Sequence, residues 1–259
     1  MRARIISILA RVAAAVPSHG FRRRFVELML QRDPHAVLQP VGAAQNRDRR
    51  LAAAPLDLAP TSKLEFEDLS GLFASSMLNH AVIGMTIRQA AYVFGVTRRS
   101  GAKKAIEVGR WRGGSTVVLA AAMGDGGKVW SIDIGEKAER VLGEPGAALD
   151  DETRAFCERF GLDVDLVVGN SRTLELDTGE VDVVVIDGDH TYEGTRIDAD
   201  RWGRKLRVGG ALLVDDAYDD YFVPGHKDTA GRVVSELQAE GDFRLVKAVD
   251  RLAHLERVR

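Results

Sequence analysis

The sequence predicts an α/β protein: a doubly wound, mostly parallel, seven-stranded sheet with an antiparallel C-terminal hairpin and an N-terminal helical extension. Three observations predict it. Short apolar runs alternate with helical stretches from residue 102 onward, the pattern of parallel strands joined by crossover helices. Two runs, Val183-Val184-Val185-Ile186 and Leu212-Leu213-Val214, are apolar throughout and end abruptly in acids. Runs of that kind read as strands buried on both faces. The last two runs, 243–249 and 252–258, are separated only by Asp250 and Arg251, which suggests a hairpin.

The elements follow in order. Residues 1–62 read as a basic arm and linker: 1–32 is basic and partly apolar, and 33–62 is rich in Ala, Pro, Asp and Arg without a sustained period. Arg11 interrupts the only short apolar stretch of the arm, which argues against a signal peptide. The arm is expected to pack on its own domain or on a partner subunit of a homo-oligomer, with an anionic membrane surface as the alternative. A single domain is expected over 63–259, with 63–100 as a helical cap and 101–259 as its core. In the cap, Phe73, Met77, Val82, Ile83, Ile87, Ala91 and Phe94 recur at mixed three- and four-residue spacings. The core opens with a strand at 103–108, an apolar helix at 115–123 and a second strand at 128–134. A helix at 151–160 precedes strands at 164–168 and 181–186. An amphipathic helix at 192–206 should turn Ile197, Trp202 and Leu206 inward. The fifth strand is 211–214, and a helix at 231–240 leads to the final pair.

Composition narrows the function classes. The 259 residues are 45% hydrophobic and 29% charged, ordinary for a globular protein. A net charge of −2 argues against nucleic acid as the main partner. The single cysteine, Cys157, excludes a disulfide framework and a Cys-based zinc site. No apolar run approaches the roughly 20 residues of a membrane span, so a cytoplasmic location is expected.

The acid-tipped strands carry chemistry. Acids at the C-terminal ends of parallel strands lie on the edge where open α/β sheets bind ligands. Side by side, the strands would gather Asp187, Asp215 and Asp216, with His190 one turn away. That set suits a hard cation with a base beside it. Plainer readings stand alongside: the Asp pair as a helix cap or solvated loop, His190 as a capping residue, Asp189 as structural.

The first loop, Glu107-Val108-Gly109-Arg110-Trp111-Arg112-Gly113-Gly114-Ser115-Thr116, points to a cofactor. Glycines at a strand-to-helix turn let backbone approach a ligand, and a helix N-terminus attracts negative charge. The dinucleotide fingerprint needs Gly-x-Gly-x-x-Gly, and Arg110-Trp111-Arg112 fills the place of its second glycine. A bulky loop suits a cofactor without a pyrophosphate, such as S-adenosylmethionine. Gly109, Arg110, Gly113, Ser115 and Thr116 are its candidate contacts in the loop. Asp133, ending the second strand, can take ribose hydroxyls, and Gly169-Asn170-Ser171 can flank the adenine. A generic glycine-rich α/β turn is the plainer alternative.

At these residues the chain resembles the class I S-adenosylmethionine-dependent methyltransferases. More narrowly it resembles bacterial metal-dependent O-methyltransferases acting on sugars of macrolide antibiotics. The resemblance runs from about residue 70 to the C-terminus and rests on three segments: 106–116, Ile186-Asp187-Gly188-Asp189-His190-Thr191-Tyr192-Glu193, and Val208-Gly209-Gly210-Ala211-Leu212-Leu213-Val214-Asp215-Asp216. It implies a Rossmann-like methyltransferase fold and transfer of a methyl group to a hydroxyl of a small molecule. It implies that Asp187, Asp215 and Asp216 bind a divalent cation, magnesium first. It implies that His190 is the general base, with Asp187 beside it in the catalytic set, and that Glu107, Gly109, Asp133 and Ser171 hold the cofactor, with Asn170 and Asp187 adjoining. A catechol or phenol is the alternative acceptor. A nucleotide-cofactor oxidoreductase and a non-catalytic S-adenosylmethionine-binding partner are the rival classes. Residues 70–95 and the loop 217–227 should roof the acceptor pocket, bringing His80, His226, Tyr218, Tyr221, Phe222 and Pro224 near it.

Overall fold

A computed structural model describes residues 63–73, 83–136, 146–218 and 229–259. Seven strands form one sheet: β1 (Lys104–Val108), β2 (Lys128–Asp133), β3 (Asp163–Val168), β4 (Val181–Ile186), β5 (Leu206–Val214), β6 (Phe243–Val249) and β7 (Leu252–Arg257). Among the described residues five α-helices accompany them: α1 (Ile87–Arg99), α2 (Gly114–Met123), α3 (Gly146–Arg159), α4 (Tyr192–Arg201) and α5 (Ala230–Glu240). The strand order is β3-β2-β1-β4-β5-β7-β6. The first five strands pair in parallel, and β7 pairs antiparallel with both β5 and β6. The order reverses between β1 and β4. Such a switch point opens a crevice above the carboxyl ends of the strands.

The core has two layers because strand side chains alternate. On β4, Val183 and Val185 face one side, against Val93 and Phe94 of α1 and Val117 and Val118 of α2. Val184 and Ile186 face the other, with Trp202 and with Val233 and Leu237 of α5. These four β4 residues are at most 2% exposed. Each such side chain contributes about 1.5–3 kcal/mol by leaving water. In α2 every residue but Ser115 is buried, as expected of a helix apolar on all sides.

Several boundaries differ from the sequence reading. The cap is not one helix: among the described residues it holds a 3-10 turn at Glu67–Phe73 and then α1. Thr86 starts α1 as a capping box with Gln89, and side-chain and backbone groups bond both ways. Helix α3 begins at Gly146, five residues earlier than expected. Strand β5 begins at Leu206, ahead of the expected 211, because the β4–β5 register shifts between Val181 and Val183 and takes in Gly209-Gly210. Helix α4 ends at Arg201, and a 3-10 turn, Gly203–Lys205, follows it. Its buried residues are Gly194, Thr195, Asp198 and Ala199, and Ile197 is only half-buried. The expectations for residues 1–62, Met77, Val82, His80, His226, Tyr221, Phe222 and Pro224 lie outside the described residues.

Candidate active site

A cavity of about 720 Å³ lies above the carboxyl ends of β1, β2, β4 and β5. One half of its wall comes from the loops after β1, β2 and β3. Strand β1 ends at Val108, and the chain must turn sharply into α2. Gly109 makes that turn at φ 92°, and a Cβ there would collide with the carbonyl of Asp187. The loop therefore lies directly against the end of β4. Asp133 holds it in place: Oδ2 accepts the backbone N–H groups of Arg110 at 2.8 Å and Trp111 at 2.9 Å, and Oδ1 accepts that of Gly135 at 2.7 Å. Three of its roughly four acceptor positions are thus spent within the chain. No side chain caps the N-terminus of α2, so its first amides can serve an anionic group of a ligand. Ser115, Ile134, Asn170 and Ser171 complete this half.

Not every residue expected to touch a cofactor lies on this wall. The Arg110 side chain turns away from the cavity. It is buried in a bidentate pair with Asp150 of α3, at 2.8 Å on both arms, and its Nη1 also donates to the carbonyl of Ser131. Its role in the cavity is confined to backbone. Arg112 is likewise buried, its guanidinium 4.6 Å from the centre of the Trp111 ring. The bulk of the Arg-Trp-Arg loop is therefore packed under the turn more than into the cavity. Glu107, Gly113 and Thr116 lie beneath the wall as well. Glu107 is fully buried and accepts hydrogen bonds from Thr116 Oγ1 and, at 2.6 Å, from Ser131 Oγ. Burial pushes its carboxyl above the ordinary glutamate value. Gly113 closes the turn, donating to the Arg110 carbonyl at 2.9 Å.

The other half of the wall comes from β4 and β5. Parallel register pairs Ile186 with Val214, so Asp187 and Asp215, the next residues, end adjacent strands. His190 follows Asp187 by three residues. Its Nε2 lies 3.7 Å from Asp187 Oδ1 and 3.5 Å from Asp216 Oδ2, between two carboxylates. Asp216 holds a left-handed φ of 53°, unusual for a residue with a side chain. Asp215 is 3% exposed, and burial followed by the adjacent Asp216 raises its carboxyl above the ordinary value. The fold thus brings Asp187, His190, Asp215 and Asp216 onto one wall.

Four residues that sequence reasoning passed over join this arrangement. Gln89 is fully buried. Its Oε1 accepts the N–H of Thr86 at 2.8 Å, which leaves Nε2 to donate to Asp215 Oδ1 at 2.7 Å. Arg251, from the β6–β7 turn, places Nη1 2.8 Å from Asp216 Oδ1. Asp198 of α4 is buried, lines the cavity and accepts from Ser171 Oγ at 2.7 Å. Asp150 anchors Arg110. Only Gln89 carried a readable signal, the Thr-x-x-Gln of a capping box, and that predicts a helix start and no more. Asp189 pairs with Arg172 and accepts the N–H of Thr191 at 3.0 Å, a structural use.

The donor chemistry of Asp187, Asp215 and Asp216 suits a hard cation. Their present partners are protein groups: Gln89 on Asp215, Arg251 on Asp216. Among the described residues, no three His, Cys, Asp or Glu side chains gather into a ligand set.

A mostly parallel sheet reversing at β1/β4, with a glycine turn ahead of α2 and an antiparallel end, is the Rossmann-like methyltransferase fold. Residues 106–217 match the family described as a methyltransferase domain. Solved structures share the fold. The O-methyltransferase NovP is 18% identical at a TM-score of 0.57, covering 85% of this chain and 100% of that one. An O-methyltransferase from Bacillus cereus, in complex with SAH, is 17% identical at 0.53, covering 74% and 90%. TomG from Streptomyces achromogenes, an O-methyltransferase involved in tomaymycin synthesis and solved with SAM, is 17% identical at 0.51, covering 69% and 83%. No helix among the described residues is long and apolar enough to cross a membrane.

Proposed function

We propose that this chain moves a methyl group from S-adenosylmethionine to a hydroxyl oxygen of a small molecule, with a sugar of a natural product or glycan as the preferred acceptor. One observation carries the reading: His190 stands between Asp187 and Asp216, at 3.7 and 3.5 Å, in the cavity that the Gly109 turn also lines. The neighbours in fold are O-methyltransferases, which agrees with it.

The sulfonium of the cofactor supplies an activated methyl group, so the difficulty lies with the nucleophile. An alcohol holds its proton about as tightly as water does. His190 is the group placed to take that proton at Nε2 as the oxygen attacks. The Gly109 turn and the first amides of α2 receive the cofactor's methionine end, and Asp133 with the Asn170-Ser171 turn receives its nucleoside. Asp187, Asp215 and Asp216 would hold a divalent cation, magnesium first, once Gln89 and Arg251 yield their oxygens. Such a cation supplies a lowered hydroxyl pKa and a fixed orientation of a vicinal diol.

The test is a panel of sugar, catechol and phenol acceptors with S-adenosylmethionine, run with magnesium and with a chelator. Turnover of a sugar that stops on chelation is expected, and turnover that survives chelation removes the cation. His190→Ala should lower kcat by about 10²–10⁴-fold while cofactor affinity, read by calorimetry with S-adenosylhomocysteine, stays unchanged. Retained turnover in that variant removes the base.

A further inference from the structure

The tip of the β6–β7 hairpin reaches the cavity. Asp250 and Arg251 alone join the two strands, and they serve opposite sides. Asp250 holds φ 51°. Its Oδ2 accepts from the Thr86 hydroxyl at 2.7 Å, and its Oδ1 pairs with Arg88 at 2.8 Å. Both partners sit at the start of α1. With Asp250 tied there, the turn delivers Arg251 to the cavity wall and to Asp216. The backbone also ties this turn to the segment that follows β5, since the Arg251 carbonyl accepts the N–H of Tyr218 at 3.3 Å.

The pairing answers an electrostatic need. Asp215 and Asp216 are consecutive, Asp187 is one strand away, and like charges so placed repel. Among the described residues that line the cavity, Arg110 is committed to Asp150 and Arg172 to Asp189, while Arg251 pairs with Asp216 on this wall.

We propose that Arg251 is an internal counter-cation of the Asp215–Asp216 pair and sets how tightly this wall takes a divalent ion. The inference rests on the cation reading above. A guanidinium on Asp216 and a divalent ion compete for the same oxygens, and two cations side by side repel. Removing the guanidinium leaves the carboxylates uncompensated and should strengthen ion binding.

The experiment is a Mn²⁺ titration of the full chain without cofactor or acceptor, following the free ion by electron paramagnetic resonance. Arg251→Gln should bind Mn²⁺ on the order of tenfold more tightly than the wild type. Arg251→Lys, which keeps the charge, should stay near wild type. Asp250→Gly suits the left-handed turn but releases the tie to α1, and it should shift affinity the same way by less. It serves in place of Arg251→Gln if that variant does not fold. The proposal is overturned if neither variant binds more tightly than wild type, or if Arg251→Lys gains as much as Arg251→Gln. Wild-type binding with no gain in the variants leaves the cation reading standing. Binding by none of the chains removes both.

Discussion

The two halves of the cavity are made of different material. The half over β1, β2 and β3 is largely backbone: a glycine turn, the N-terminus of α2, and amides tied to Asp133. The half over β4 and β5 is side chain: three aspartates, one histidine, and the Gln89 and Arg251 that hold two of the acids. The first offers amides on a turn whose shape Gly109 and Asp133 fix. On the proposed function, the second is where charge and protonation meet the acceptor. The halves meet at Gly109, which packs on the Asp187 carbonyl.

The largest expected effect tests whether the backbone half depends on one buried charge. Arg110→Ala leaves the Asp150 carboxylate without its partner at a site where the two side chains are 2% and 13% exposed. Breaking a buried pair from one side costs about 3–5 kcal/mol, which should lower Tm by roughly 10 °C in a calorimetric melt. An unchanged Tm would mean the loop stands on Asp133 alone. Cofactor affinity should fall along with stability, since Arg110 braces the turn from below.

A smaller effect probes the side-chain half. Gln89→Leu removes the donor to Asp215 and leaves a buried carboxylate oxygen short of a hydrogen bond, a loss of about 1–3 kcal/mol. Turnover should drop on the order of tenfold, with the affinity for S-adenosylhomocysteine unchanged. A parallel loss of cofactor affinity would show that the halves are coupled through Gly109 and are not separable.

What was legible in the sequence divides along the same line. The strand–helix alternation, the glycine turn and the acids at 187, 215 and 216 are local patterns: apolar runs with abrupt ends, and a glycine where backbone must turn. The alternation of β4 side chains between two layers follows from its run of four apolar residues. The partners of the acids were not legible. Gln89 and Asp215 are 126 positions apart, and Arg110 and Asp150 are 40 apart. An Arg in a glycine loop reads as a ligand contact until the fold shows a carboxylate beneath it. Arg251 reads only as half of a tight turn, because its direction is set by the tie of Asp250 to α1. Side chains that act across the fold leave no period in the chain.

The smallest effect concerns Glu107, which the resemblance assigns to the cofactor and the structure buries under the backbone half. Burial raises its carboxyl above the ordinary value, and the hydroxyls of Ser115, Ser131 and Thr116 with the charge of Arg110 only partly offset this. The folded chain thus holds this proton more tightly than the unfolded chain does. As pH rises from the ordinary glutamate value toward the raised one, the unfolded chain releases its proton first, and folding stability declines over that window. Glu107→Gln has no such proton to lose. Its Tm should therefore gain on the wild type as pH rises above the ordinary glutamate value, with cofactor affinity nearly unchanged. If the wild type gains instead, Glu107 is ionised and its charge supports the fold. If cofactor affinity collapses in the variant, Glu107 reaches the cofactor, and the backbone half contains a side-chain contact after all.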